Sequence, residues 1–351
     1  MRVLIVDDSP VLRQLLRAIL ESEGCEVMEA ADGEQALAVL ARFTPDIVTM
    51  DVHMPGMDGY ETTAQILERY ALPVVVITAS ANPKDSETAI RALEAGALAV
   101  LEKPGGPSVE GFQERVDELL RTLRSMSKVK IVRRSRLAGK ARKKPAPEKG
   151  GEIAMAPALI VAIAASAGGP VALKSLLQAV RPPWPWPVVI VQHIAAGFMP
   201  SFRDWLAGFT PIPVSLAEQD QALAPNQVYL VPDGFHLGFN ANRRVFLDDA
   251  PPEDYIRPSA NYLFRSLARH FGRHTIAIQL SGMGRDGADG LAELFRAGAL
   301  TLVQEPSSAV IDSMPRAALA VARYVLPPKE IAERLNRLAA QTSPVVQGNK
   351  E

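Results

Sequence analysis

Three residues that together could hydrolyse an ester each stand just after an apolar run. A strand-like stretch, Leu159 to Ala164, leads into Ser166-Ala167-Gly168-Gly169-Pro170, and the helical pattern Val171, Leu173, Leu176, Leu177 follows. A serine on a tight turn between strand and helix exposes its hydroxyl at the carboxyl end of a sheet, beside the free N–H groups of a new helix. Nucleophile and helix cap are both open readings of Ser166. His193 follows Val188-Val189-Ile190-Val191-Gln192, and Asp286 follows Thr275 to Leu280 within Ser281-Gly282-Met283-Gly284-Arg285-Asp286-Gly287. Ester hydrolysis by serine needs a base near the hydroxyl and a carboxylate that fixes the base's tautomer. The chain order Ser, His, Asp departs from that of α/β-hydrolases, which excludes that fold family but not the chemistry. His236, His270 and His274 are rival bases. His236 is expected on a hairpin surface and the other two beside a helix end.

A second constellation lies near the N-terminus. Asp7 and Asp8 follow Val3-Leu4-Ile5-Val6, Asp51 follows the apolar run ending in Met50, Thr78 follows Val74 to Ile77, and Lys103 precedes Pro104. Three carboxylates gathered at one point repel one another unless a hard cation sits between them, and Mg²⁺ suits oxygen ligands. Asp51 is then the attacking carboxylate that accepts a phosphoryl group, with Thr78 and Lys103 binding the new phosphate oxygens.

Both sets require parallel sheets. In residues 1–124, short apolar runs (3–6, 46–50, 74–77, 97–101) alternate with amphipathic patterns such as Val11, Leu12, Leu15, Leu16, Ile19 and Leu20. That alternation implies an α/β fold with helices on both faces and ligands at the strand carboxyl ends. Residues 155–345 repeat it. There Val228 to Val231, His236 to Phe239 and Val245 to Leu247 are spaced like antiparallel hairpin strands inserted in a parallel sheet. Between the two domains, residues 125–154 carry Lys128, Lys130, Arg133, Arg134, Arg136, Lys140, Arg142, Lys143 and Lys144, then Pro145, Pro147, Gly150 and Gly151. This reads as a flexible, self-repelling linker. No interleaved aromatic residue supports nucleic-acid stacking, so a nucleic-acid partner is not expected.

The 351 residues fit two domains. The formal charge of −1 gives no sign of a polyanionic partner, and the single cysteine, Cys25, suits a reducing, cytoplasmic setting. The N-terminus is a first strand rather than a signal peptide, and no apolar run reaches the length of a membrane span.

The first domain resembles the receiver domain of two-component response regulators, through Val6-Asp7-Asp8-Ser9, Met50 to Gly59, Thr78-Ala79-Ser80 and Lys103-Pro104. The resemblance implies a flavodoxin-like fold and phosphorylation of Asp51 by a histidine kinase. It also implies Mg²⁺ held by Asp8, Asp51 and the carbonyl of His53. Receivers often carry an aromatic residue three positions before the lysine, where this chain has Val100.

The second domain resembles the chemotaxis protein-glutamate methylesterases. The similarity lies in Ala165-Ser166-Ala167-Gly168-Gly169, Val191-Gln192-His193, Arg257-Pro258-Ser259, Gly282 to Gly287 and Met314-Pro315, in the family's order behind a receiver. It implies a Rossmann-like catalytic domain with Ser166 as nucleophile, His193 as base and Asp286 as orienting carboxylate, and with Met283 near the oxyanion. Backbone N–H groups near Ala167, Gly168 and Met283 are then candidates to hold that oxyanion. The implied activity is hydrolysis of glutamyl γ-methyl esters on the cytoplasmic helices of chemoreceptors. Glutamine deamidation is implied alongside it, and the esterase step needs no metal. Ala164, Ala167 and Ser313 stand where the family usually has glycine, threonine and glycine. Two rival readings are a catalytically silent, phosphorylation-switched binding module and a DNA-binding regulator using the basic linker.

Overall fold

The structure is a computed structural model that describes residues 1–78, 90–129, 131 and 159–342. Ala79, Ser80 and nearly all of the expected linker lie outside the described residues. Two compact units result: the first takes in the described residues up to 141 together with 194–202, and the second takes in the rest.

The first unit is built on an all-parallel sheet in the order β2-β1-β3-β4-β5. Its strands are β1 (Arg2–Val6), β2 (Glu26–Ala30), β3 (Ile47–Met50), β4 (Val74–Thr78) and β5 (Ala99–Glu102). Both faces are covered. Leu4, Val6, Val48, Met50, Val74 and Val76 share one core, and Val3, Ile5, Ile47, Val75, Ile77 and Leu101 share the other. That burial on both faces is why these strands read as unbroken apolar runs. The edge strand β2 was not legible, because Glu26 and Glu29 interrupt its apolar residues. Helices start where short polar side chains cap them: Ser9 accepts from Leu12 N–H, Asp32 from Gln35 N–H and Asp58 from Glu61 N–H. Gly59 is required by close approach, since a Cβ there would lie 2.1 Å from the Asp51 carbonyl oxygen.

The second unit holds a seven-stranded, all-parallel sheet in the order β14-β13-β12-β6-β7-β9-β8. The strands are β6 (Ile160–Ala165), β7 (Pro187–Gln192), β8 (Val214–Leu216), β9 (Gln227–Leu230), β12 (Thr275–Gln279), β13 (Leu300–Gln304) and β14 (Tyr324–Leu326). Among the described strands, β10 (His236–Phe239) and β11 (Val245–Asp248) pair as an antiparallel hairpin. The expectation that Val228 to Val231 joins that hairpin is corrected, because β9 pairs in parallel with both β7 and β8. Val228, Tyr229 and Leu230 are all buried, as an interior strand requires, whereas Phe246 on β11 faces solvent. Ile160, Ala162 and Ala164 of β6 pack in one core with Leu263, Phe264 and Leu267 of the helix Ala260–His270 and Leu291 and Leu294 of the helix Ala288–Arg296.

Candidate functional site

The second sheet reverses its strand order between β6 and β12, which is where open α/β sheets bind ligands. Register brings the two strands and β7 to an end together: Ala164 pairs with Gln279, and Ala165 with Gln192. The ladder runs one step further, with Ser166 N–H donating to Ser281 O at 3.0 Å and His193 N–H to Ala165 O at 3.0 Å. Ser166, His193 and the loop carrying Asp286 thus leave three adjacent strands at one edge.

Ser166 does not cap the next helix. The cap position of Gly169–Leu177 is Gly168, with φ 74°. A Cβ on Gly168 would meet Ser281 Oγ and Val310 Cβ, each at 2.6 Å, and one on Gly169 would meet Gln192 Oε1 at 2.4 Å. The turn closes through Gly169 N–H to Ser166 O at 2.7 Å. Among the described residues, the N–H groups of Ala167, Gly168 and Met283 donate to no protein acceptor. Gly168→Ala is therefore expected to cost about 2–4 kcal/mol of stability through the left-handed backbone and the clash. Displacement of the serine should lower esterase activity about 10²-fold. Chemical denaturation and initial rates check the two effects, and an unchanged rate would show that the turn does not position the serine.

His193 Nε2 lies 3.0 Å from Asp286 Oδ2, with both side chains largely buried. This leaves Nδ1 of His193 for a second partner. No hydrogen bond joins Ser166 Oγ to His193 among the described residues, and such contacts commonly tighten only when substrate binds. Asp286 sits on the N-terminus of the helix Ala260–His270. Its Oδ2 accepts from Ala260 N–H at 2.7 Å, and its Oδ1 accepts from Asn261 N–H at 3.0 Å and Gly287 N–H at 2.9 Å. Burial alone would raise the Asp286 pKa, but His193 together with the Ala260 and Asn261 N–H donors holds it below the usual carboxylate range.

Among the rival bases, His236 is corrected. It is fully buried rather than on the hairpin surface, stacked on Tyr262 at 4.8 Å, with Nδ1 accepting from Ser259 N–H. The hairpin turns that face inward because β10 packs against the helix Ala260–His270. His274 immediately precedes β12 and so lies at the opposite edge of the sheet from Asp286. His270 ends the helix that starts beside Asp286 and is likewise carried away from it.

Sequence reasoning missed the groups that brace these loops. Gln192, the last residue of β7, donates to Ser166 O at 2.9 Å and His193 O at 2.8 Å. Gln279, ending β12, donates to Asp286 O at 2.7 Å. Gln304, ending β13, accepts from Ser281 N–H at 2.7 Å. The available signal was an amide terminating each of three apolar runs. Ser259 was likewise visible only as part of a shared segment.

The first sheet has its own cluster at the point where strand order reverses between β1 and β3. Asp7, Asp8 and Asp51 each offer an oxygen within 4.8 Å of the others. Lys103 Nζ lies 2.9 Å from Asp51 Oδ2 and 3.1 Å from Asp7 Oδ2. Burial, then the charge of Asp51, raises the pKa of Asp7. Burial works to lower that of Lys103, but hydrogen bonding and attraction to Asp51 and Asp7 carry it above its ordinary value. An all-oxygen donor set whose own repulsion opposes ionisation fits a small divalent cation. Thr78 is buried at the end of β4, and its carbonyl accepts from Lys103 N–H at 2.7 Å. His53 is exposed two residues beyond Asp51. Val100 is a core residue of β5, so no aromatic side chain is available there to rotate.

Comparison with known proteins places both domains in families. Residues 161–335 match the family model described as CheB methylesterase, and residues 3–109 match that of the response regulator receiver domain. A protein-glutamate methylesterase/protein-glutamine glutaminase of Hahella chejuensis is 47% identical over 97% of this chain and 99% of its own length. One of Syntrophus aciditrophicus is 40% identical over 98% of this chain and 99% of its own. The crystal structure of the Thermotoga maritima CheB methylesterase catalytic domain aligns over its whole length and 52% of this chain, at 32% identity and a TM-score of 0.50. With a receiver domain ahead of the Ser166 domain, and likeness to these relatives over nearly its full length, the chain belongs to the protein-glutamate methylesterase/protein-glutamine glutaminase family.

Proposed function

We propose that this protein removes methyl groups from glutamyl γ-methyl esters on the cytoplasmic helices of chemoreceptors, under control of phosphorylation at Asp51. The meeting of Ser166, His193 and the Asp286 loop at the ends of β6, β7 and β12 carries this reading, in a chain whose relatives bear that activity's name. Ser166 Oγ attacks the ester carbonyl as His193 takes its proton, and Asp286, already ionised, steadies the imidazolium. N–H groups of Ala167, Gly168 and Met283 hold the oxyanion. The tetrahedral adduct expels methoxide, which takes the proton from His193 and leaves as methanol. His193 then deprotonates a water molecule, which cleaves the acyl-enzyme and restores Ser166. The same residues deamidate glutamine, with His193 protonating the departing ammonia.

In the first unit, Asp51 accepts the phosphoryl group from a histidine kinase. Asp7, Asp8, Asp51 and the His53 carbonyl would hold Mg²⁺, which neutralises charge on the transferring group. Lys103 and Thr78 take the phosphate oxygens. The proposed division is receiver 1–124, linker 125–154 and catalytic domain 155–345. No described helix is long and apolar enough to cross a membrane; the reading places the protein in the cytoplasm, where receptor helices and kinase are found. Methanol release from methylated receptor membranes tests this: a clear signal with the whole chain, Mg²⁺ and a phosphodonor is expected, and none would overturn the reading.

A further inference from the structure

The Asp286 carboxylate has one neighbour whose proton is contested. Ser259 is fully buried and caps the helix Ala260–His270, its Oγ accepting from Tyr262 N–H at 3.2 Å. The same oxygen lies 3.0 Å from Asp286 Oδ1 and 2.9 Å from Glu253 Oε2. A hydroxyl has one proton and cannot donate to both carboxylates. Asp286 Oδ1 already receives Asn261 and Gly287 N–H groups, so the serine competes for a nearly filled acceptor. Glu253 Oε2 has a second donor in the guanidinium of Arg265. When that donor satisfies Glu253, the serine proton is free to turn to Asp286.

Glu253 is held in place by its own turn. Its N–H and carbonyl exchange hydrogen bonds of 3.1 and 2.8 Å with Ile256. The two intervening residues, Asp254 and Tyr255, take φ of 48° and 66°. Two consecutive non-glycine residues in the left-handed region are strained, so the turn persists because its ends are anchored.

We propose that Ser259, Glu253 and Arg265 form a positioning network that meters the hydrogen-bond donation reaching Asp286, and thereby how strongly Asp286 supports a protonated His193. The inference rests on the esterase reading above. Each donor to a carboxylate spreads its charge and weakens its hold on a partner cation. With the Ser259 proton on Asp286, His193 loses its proton at lower pH; with that proton on Glu253, at higher pH. Of the other ionisable groups beside the network, Arg257 donates to the Asp249 and Ala250 carbonyls. His236 accepts Ser259 N–H through Nδ1, and its Nε2 lies 3.3 Å from Pro251 O. Tyr262 donates to Asp248, and Arg285 pairs with Asp289 away from Asp286.

The test is the acid limb of kcat/KM for methanol release by the whole chain on methylated receptor membranes, which reports the base of the free enzyme. Glu253→Gln removes the competing charge and leaves the serine proton to Asp286, so the limb should move down by about 0.5 pH unit. Arg265→Met leaves Glu253 to capture that proton, so the limb should move up by about the same amount. The double variant should behave like Glu253→Gln, because Arg265 acts only through Glu253. Ser259→Ala should move the limb up. It also removes a helix cap, so the two half-exposed positions carry the test if it fails to fold. Limbs that stay at the wild-type position, or move the same way in Glu253→Gln and Arg265→Met, overturn the inference while leaving the esterase reading intact. A wild-type chain that releases no methanol overturns both.

Discussion

Ser166→Ala is expected to lower methanol release from methylated receptor membranes by roughly 10³–10⁶-fold, about 4–8 kcal/mol of transition-state stabilisation. His193→Gln and Asp286→Asn should fall in the same range. The double variant Ser166→Ala/His193→Gln should be little worse than either single change, because a base without its nucleophile has nothing to activate. The Ser166→Ala protein should also fold. Ser166 contributes N–H and C=O bonds to Ser281, Gly169 and Gln192, all from its backbone, so losing Oγ breaks no structural contact. Asp286→Asn is the most discriminating of the three. The amide presents N–H groups where Ala260, Asn261 and Gly287 already donate, and it cannot stabilise an imidazolium at His193. Near-full activity in that variant would remove Asp286 from the mechanism.

Asp51→Asn is expected to abolish phosphorylation outright. Incubated with acetyl phosphate and Mg²⁺, the parent chain should acquire an acid-stable, alkali-labile phosphate and release methanol faster; the variant should do neither. Asp51 has the geometry for the role. It is almost fully buried, with Oδ1 taken by Val52 N–H at 2.8 Å and Oδ2 by Lys103 at 2.9 Å. Asparagine keeps the shape but cannot attack phosphorus as a carboxylate does. The variant should remain folded, because Lys103 keeps Asp7 at 3.1 Å as its partner. It also separates the two units' chemistry: the activity of the untreated parent should persist in Asp51→Asn, as Asp51 has no part in ester cleavage. Label that survives in the variant would identify another acceptor. Equal stimulation of parent and variant would detach phosphorylation from catalysis.

By itself the sequence carried the local half of this protein. Apolar runs buried on both faces, each followed by a polar residue, marked β1, β3, β4, β6, β7 and β12, and with them Asp7, Asp51, Thr78, Ser166 and His193 at strand ends. These features are readable because a strand and the residue that ends it are contiguous, and burial shows directly as composition. What escaped depends on neighbours distant in the chain. β9 looked like a hairpin strand until its pairing with β7 and β8 put it inside the sheet. His236 looked exposed until the helix Ala260–His270 packed over it and Ser259 donated to its Nδ1. Ser259 itself gave no sign of contact with Asp286, nor Gln279 and Gln304 of holding the loops beside them. Such roles arise only when parallel pairing sets β6 beside β12 and aims a helix N-terminus at Asp286. A hydrogen bond's worth depends on burial and alignment, and both are properties of the assembled layers rather than of any single segment.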